Sequence, residues 1–217
     1  MLPKVELIQE LVKNGIVAVI RRIPDEAVER VADSLLDGGV TALEVTLDSP
    51  SAFLWISKLS ERFKGRALIG AGTVLDAESA RMAISSGADF LLSPTLQPEV
   101  IRTGLRYGKI VIPGVMTPTE ILSAAELGAD LVKIFPASSL GVQFIKDIKN
   151  VFPYISVIPT GGVNLDNAAD FIQAGASALG VGGNLVDKKA IENSDFGKIR
   201  DTAYAYVEAV KKARLKS

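Results

Sequence analysis

Two ionisable residues stand where an apolar residue is expected. Lys133 lies inside Ala129-Asp130-Leu131-Val132-Lys133-Ile134-Phe135, and Glu44 inside Ala42-Leu43-Glu44-Val45-Thr46. A long cation or a carboxylate in such a run is costly unless it is paired or used. Desolvation favours a neutral amine, which attacks carbonyl carbon, and a neighbouring carboxylate can then move protons. The bland reading is a structural ion pair, with Glu44 partnering Lys133 or Arg21. The two readings coexist, because one contact can both pair the groups and set their ionisation. Period-two alternation places Leu131, Lys133 and Phe135 on one face of an extended segment.

A second group of residues suits anions. Gly161-Gly162 and Gly182-Gly183 each follow an apolar run. Each pair alone reads as a turn. Together, in the last two strand–helix loops, their backbone N–H groups point to a phosphate site. Arg21 supplies a cation for a carboxylate or a phosphate, whereas Arg22 reads as a solvated loop charge.

The composition narrows the chemistry further. The 217 residues include 24 Lys+Arg, 25 Asp+Glu, and neither cysteine nor histidine. Disulfides, zinc–thiolate sites, cysteine nucleophiles, Ser-His-Asp triads and imidazole ligands are all excluded. A net charge of −1 without basic blocks argues against nucleic-acid binding. No apolar run reaches the ~20 residues of a membrane span. The segment Met1–Leu7 carries an early acid and no small-residue cleavage pattern, so no secretory signal is expected and a cytoplasmic location is.

These residues need elements to hold them. Short apolar runs occur at Gly15–Ile20, Thr41–Leu47, Ala67–Gly70, Phe90–Leu92, Ile110–Ile112, Leu131–Phe135, Ser156–Ile158 and Ala178–Val181. Amphipathic stretches such as Glu26–Leu36, Ala77–Ser86, Glu120–Leu127 and Ala168–Ala174 separate them. Continuous apolar runs signal strands buried on both faces, as in parallel sheets. Eight units of about 27 residues approach the ~30 of a strand–helix repeat and predict a compact (β/α)8 barrel, one domain over 1–217, with an open doubly wound sheet as the alternative. Helix starts are expected at Ser49-Pro50, at Asp76 and at Thr117-Pro118-Thr119-Glu120, a capping box. Left-handed helix ends are expected at Gly38-Gly39, Gly87, Gly128 and Gly175. Met1–Asn14 reads as an extra helix able to plug the barrel bottom, and Asp195–Leu215 as the last helix. Function in such barrels gathers at the C-terminal strand ends, where all the residues named above lie.

Taken together, the strand ends resemble a known family. The segments are Glu44-Val45-Thr46-Leu47, Gly70-Ala71-Gly72-Thr73-Val74-Leu75, Ser93-Pro94, Pro113-Gly114-Val115-Met116-Thr117-Pro118-Thr119-Glu120, Lys133-Ile134-Phe135-Pro136-Ala137 and Pro159-Thr160-Gly161-Gly162-Val163. They resemble the 2-keto-3-deoxy-6-phosphogluconate (KDPG) aldolases, which also cover 4-hydroxy-2-oxoglutarate aldolase activity. The likeness runs from Gly15 to Val186. It implies a TIM-barrel, metal-independent class I aldolase with no cofactor, usually a homotrimer, serving carbohydrate metabolism at the Entner–Doudoroff cleavage. By resemblance Lys133 forms the Schiff base with a 2-keto acid and Glu44 shuttles protons. Arg21 and Thr73 hold the pyruvate carboxylate or the substrate tail, and Pro94 and Thr160 line the pocket. Gly161, Gly162, Gly182, Gly183 and Asn184 take the phosphate.

Two positions depart from the family pattern. Asp48 stands where arginine or a small hydroxyl residue is common, and Asn184 where serine is typical. An aspartate pointing into the pocket would repel an anion unless it pairs with Arg21 or Arg22. The departures leave open the gluconate or galactonate epimer and an unphosphorylated acid. A phosphosugar isomerase or epimerase usually needs histidine, which the chain lacks. A non-catalytic ligand-binding or assembly barrel is the remaining alternative, with Asp48 as its sole support.

Overall fold

The computed structural model describes residues 3–216. The expected helix over 1–14 therefore has its first two residues outside the described part, as does the last residue of the chain. Helix α1 (Pro3–Asn14) precedes strand β1 (Ile16–Ile20). Strands β2 (Ala42–Thr46), β3 (Leu68–Gly72), β4 (Phe90–Leu92) and β5 (Ile110–Ile112) follow, separated by α2 (Val28–Asp37), α3 (Ala52–Arg62), α4 (Ala77–Ser85) and α5 (Pro98–Arg106). After β6 (Gly114–Val115), α6 (Pro118–Glu126), β7 (Val132–Ile134), α7 (Ala137–Val151), β8 (Val157–Pro159), α8 (Ala168–Gln173) and β9 (Leu179–Val181) alternate. Helices α9 (Lys188–Glu192) and α10 (Phe196–Arg214) end the order.

All strand pairs are parallel. One sheet runs β5-β4-β3-β2-β1-β9 and a second β6-β7-β8. The expected fifth strand, Ile110–Ile112, is β5; Pro113, which has no N–H to donate, follows it, so β5 pairs back to β4 while the additional short strand β6 pairs forward to β7. The Pro113 carbonyl still accepts the Lys133 N–H at 2.8 Å, and a Thr160–Gly180 bridge joins β8 to β9. The two sheets thus close into the expected (β/α)8 barrel rather than the open sheet.

Each strand buries both faces, but against different partners. Outward residues such as Leu43, Val45, Val132 and Ile134 pack under the helices in the larger core. Inward residues Val17, Ala42, Leu68, Phe90, Leu92, Ile110, Ile112, Leu131, Ile158 and Ala178 form a second core, which Leu11 of α1 completes with Leu7, Ile8 and Val12 packed against it. The expected plug is therefore present. Arg214 on α10 secures it by donating to the carbonyls of Val12 and Lys13, at 2.6 and 2.7 Å.

Most of the punctuation is as expected. Thr117 and Glu120 form the capping box of α6, and Asp76 caps α4 through the Ser79 N–H. Helix α3 starts at Ala52, two residues after Pro50, with Ser51 as an N-cap lacking a side-chain bond. Gly39, Gly87, Gly128 and Gly175 have positive φ, whereas Gly38 is right-handed at φ −79°. Gly38 is needed for space, since a Cβ there would strike Ala203 and the Arg200 carbonyl of α10.

Candidate active site

The inward alternation that builds the lower core continues upward with different residue types. Ala42 leads to Glu44 and Thr46, Leu131 to Lys133, Ile158 to Thr160, and Ala178 to Gly180. The registers Val19–Glu44, Glu44–Gly70 and Gly114–Lys133 put the two ionisable groups at one level of the barrel. Their side chains face each other with Lys133 Nζ 3.9 Å from Glu44 Oε1, at 8% and 1% side-chain exposure. That separation exceeds a direct hydrogen bond and suits a bridging water or a reacting group.

Glu44 is held in an unusual state. Neither carboxylate oxygen has a hydrogen-bond partner among the described residues. Burial pushes its carboxyl above the ordinary glutamate range, against the opposing pull of Lys133 and Arg21. The carboxylate lies over Gly72, where any Cβ would collide with Oε1, Cδ and Cγ. Glycine at 72 is thus a spatial condition for Glu44. Phe135, on the same strand face as Lys133, sets its ring centroid 5.1 Å from Nζ.

Above this pair opens a cavity of about 840 Å³. Every residue expected at the site lines it: Arg21, Glu44, Thr73, Pro94, Lys133, Thr160, Gly161, Gly162, Gly182, Gly183 and Asn184. Thr73 has φ 56°, an outlier for a β-branched residue, at the point where β3 hands over to its loop. Gly161 and Gly162, with φ 88° and 82°, turn the chain sharply after β8. Among the described residues none accepts the N–H of Gly162, Gly183 or Asn184, all three of which are exposed. The Asn184 amide donates to the Val163 carbonyl at 2.7 Å, tying together the two loops that carry the glycine pairs.

Asp48 is not a wall of the cavity. Its carboxylate bonds Arg21 Nε at 2.9 Å and lies 2.9 Å from Arg22 Nε. Burial opposes its ionisation, but Arg21, with Arg22 beside it, holds the carboxyl below the usual range. Arg22, read from sequence as a solvated charge, is half-exposed but paired, and it lines the cavity. Sequence reasoning also passed over Val19, Thr46, Gly180 and Lys188. The first three are strand residues two positions from an assigned site residue, Arg21, Glu44 and Gly182 respectively, so extending the alternation would find them. Lys188 belongs to the short helix α9 and carried no such signal. The lining's formal charges are four cations (Arg21, Arg22, Lys133, Lys188) against the single carboxylate of Glu44, which suits an anionic ligand.

Comparison with known proteins agrees with this geometry. The family model described as "Aldolase: KDPG and KHG aldolase" matches residues 7–202. The 2-dehydro-3-deoxy-6-phosphogalactonate aldolase of Escherichia coli is 38% identical over 206 residues, covering 91% of this chain and 97% of the relative. The 2-dehydro-3-deoxy-phosphogluconate aldolase of Haemophilus influenzae is 33% identical over 208 residues, covering 95% and 97%. Among solved structures, the Legionella pneumophila KDPG aldolase "with pyruvate captured at low pH as a covalent carbinolamine intermediate" superposes with a TM-score of 0.83 at 31% identity, covering 88% of this chain and 93% of that one. An inward lysine and carboxylate under an anion-suited mouth, in a chain matched along nearly its whole length, make this protein a member of the KDPG and KHG aldolase family, and hence a lyase.

Proposed function

We propose that this aldolase cleaves 2-keto-3-deoxy-6-phosphogluconate to pyruvate and glyceraldehyde 3-phosphate through a Schiff base on Lys133. The observation that carries this is the buried, inward-facing Lys133–Glu44 pair at the base of the cation-rich cavity. The Lys133 amine adds to the C2 carbonyl, giving a carbinolamine, and loss of water leaves the imine. Glu44 takes the proton of the C4 hydroxyl. The C3–C4 bond then breaks, its electron pair passes into the imine as an enamine, and the C4 fragment leaves as the aldehyde. Protonation at C3 and hydrolysis return pyruvate and the free lysine. A carboxylate with a raised pKa suits both halves of this proton traffic. Lysine and carboxylate suffice, so the lack of histidine costs the mechanism nothing.

Thr73 and Pro94 flank the keto-acid end, with Thr160 on the opposite wall. The N–H groups of the loops at Gly161-Gly162 and Gly182-Gly183-Asn184 receive the phosphate. Asp48, itself outside the cavity and paired with the two arginines, leaves an anionic tail unopposed. The C4 epimer, 2-keto-3-deoxy-6-phosphogalactonate, is the second reading, favoured by the relative of 38% identity that carries that name. The chain acts as one barrel domain in a cytoplasmic homotrimer.

Borohydride reduction with pyruvate tests the chemistry. One pyruvyl group should be trapped at Lys133, and trapping in Lys133→Met would sink the assignment. Pyruvate release from both epimers, phosphorylated and not, then ranks the substrates. Absence of release from every member would instead favour a ligand-binding barrel.

A further inference from the structure

Consecutive residues on an extended strand point to opposite faces, so Arg21 and Arg22 should diverge at the end of β1. They converge. Arg22 adopts φ 47°, a left-handed conformation that is strained for a non-glycine residue. This turn brings both guanidiniums to one oxygen: Asp48 Oδ2 is 2.8 Å from an Nη of Arg21 and 2.9 Å from Nε of Arg22. The strained residue is held by its own N–H, which donates to Ser49 Oγ at 3.0 Å. Farther along the same two loops, Asp25 accepts from Ser51 Oγ at 2.7 Å and from Trp55 Nε1 at 3.0 Å. The loop after β1 is thus stapled to the loop after β2 from its first residue to the start of the next helix.

The arrangement has a front and a back. Both arginines line the cavity and Asp48 does not. Their side chains are 56% and 61% exposed, against 17% for Asp48. A guanidinium has five N–H donors, and Asp48 engages only part of each fork. Two cations against one carboxylate leave the group net positive. A loop staple alone would need neither a second guanidinium nor strained backbone. Both make sense where donors must be set before an anion arrives, because preorganisation removes the ordering cost of binding.

We propose that Arg22 is a further substrate-binding residue and Asp48 its positioning residue, the trio with Arg21 forming a preset two-guanidinium clamp for the phosphorylated tail of the substrate. This rests on the Schiff-base reading above. Lys133 and Glu44 fix the keto end in the depth of the barrel, so the other end of the chain extends to the mouth. There β1 adjoins β9, whose loop carries Gly183 and Asn184. The clamp therefore faces the tail from the side next to the glycine loops.

Steady-state kinetics on a phosphorylated 2-keto-3-deoxy acid and its unphosphorylated counterpart test the clamp. Arg22→Ala and Asp48→Ala should each raise KM for the phosphorylated acid about tenfold, a loss of roughly 1.4 kcal/mol of binding. KM for the unphosphorylated acid and kcat for both should move little. Asp48→Asn should fall between, since its amide oxygen accepts the same bond without the charge. Three outcomes would overturn the clamp: an Asp48→Ala that binds the phosphorylated acid more tightly, equal KM changes for both acids, or kcat falling with KM unchanged. Trapping of pyruvate at Lys133 in each variant reports an intact barrel. Should Asp48→Ala fail to fold, Arg22→Ala, which removes a half-exposed side chain, decides alone. Failure of trapping in the unsubstituted enzyme defeats the Schiff-base reading, whereas trapping without tail discrimination defeats only the clamp.

Discussion

The two ends of this barrel are built from the same strands and differ by a step of two residues. At the lower end Val17, Ala42, Leu131, Ile158 and Ala178 face inward and meet Leu11 of α1. One inward position higher the same strands present Val19, Glu44, Lys133, Thr160 and Gly180, all lining the open cavity. Where α1 excludes water, only apolar side chains close the interior without cost. Where the strands end without a plug, glycines leave room and two ionisable groups face each other. The scaffold is therefore indifferent to the chemistry: which end is closed decides where polar groups are tolerated.

The sharpest break in this contrast is Lys133→Met, which turns one upper position into a lower-type one. Cleavage should fall by more than about 10³-fold because the covalent route is lost, while thermal unfolding shows an intact barrel. Next is Glu44→Gln. Loss of the base should slow cleavage by about 10²–10⁴-fold, yet borohydride should still trap pyruvate at Lys133. Gly72→Ala should produce the same split by displacing the carboxylate. A Glu44→Gln variant with normal turnover would remove Glu44 from the mechanism.

Leu11→Ala probes the other end. Truncating a buried leucine should cost about 2–5 kcal/mol in denaturant unfolding, with KM of the remaining folded enzyme unchanged. A matching drop in kcat would mean that the plug and the site are coupled and the two ends are not independent. The smallest effect is a pH slope. Because burial raises Glu44's pKa in the folded state above its ordinary 4.5, the folded state retains a proton that the unfolded state has released. The stability contribution is then full below pH 4.5 and is lost as pH rises through the folded pKa, at up to about 1.4 kcal/mol per pH unit. Subtracting the Glu44→Gln stability profile from that of the unsubstituted protein isolates this slope, and parallel profiles would contradict the raised pKa. The acid limb of kcat/KM should move upward with it.

Much of this was legible along the chain. Strand runs buried on both faces, the Thr117–Glu120 capping box and the residues after each run placed every assigned site residue around one cavity. The readings that changed each depended on a detail invisible to periodicity. Beyond the expected Ile110–Ile112, a further short strand, Gly114–Val115, follows the donorless Pro113. Gly38 serves close packing against α10 rather than a left-handed turn. Arg22 read as a solvated loop charge, and its left-handed backbone conformation and its pairing with Asp48 are visible only in the structure. Lys188 reaches the rim from a helix that no strand pattern located.

By itself the sequence determined the kind of chemistry. With neither cysteine nor histidine, nucleophile and base had to come from Lys, Glu, Asp, Tyr, Ser or Thr, and Lys133 and Glu44 were conspicuous because their surroundings are apolar. Only the tertiary structure decided that residues 89 positions apart face each other 3.9 Å apart, that Gly72 makes room for the carboxylate, and that Asp48 stands behind two arginines instead of inside the pocket. The reason is physical. Burial and alternation are written in local spacing, whereas the approach of two side chains depends on barrel closure and register, which no single segment encodes.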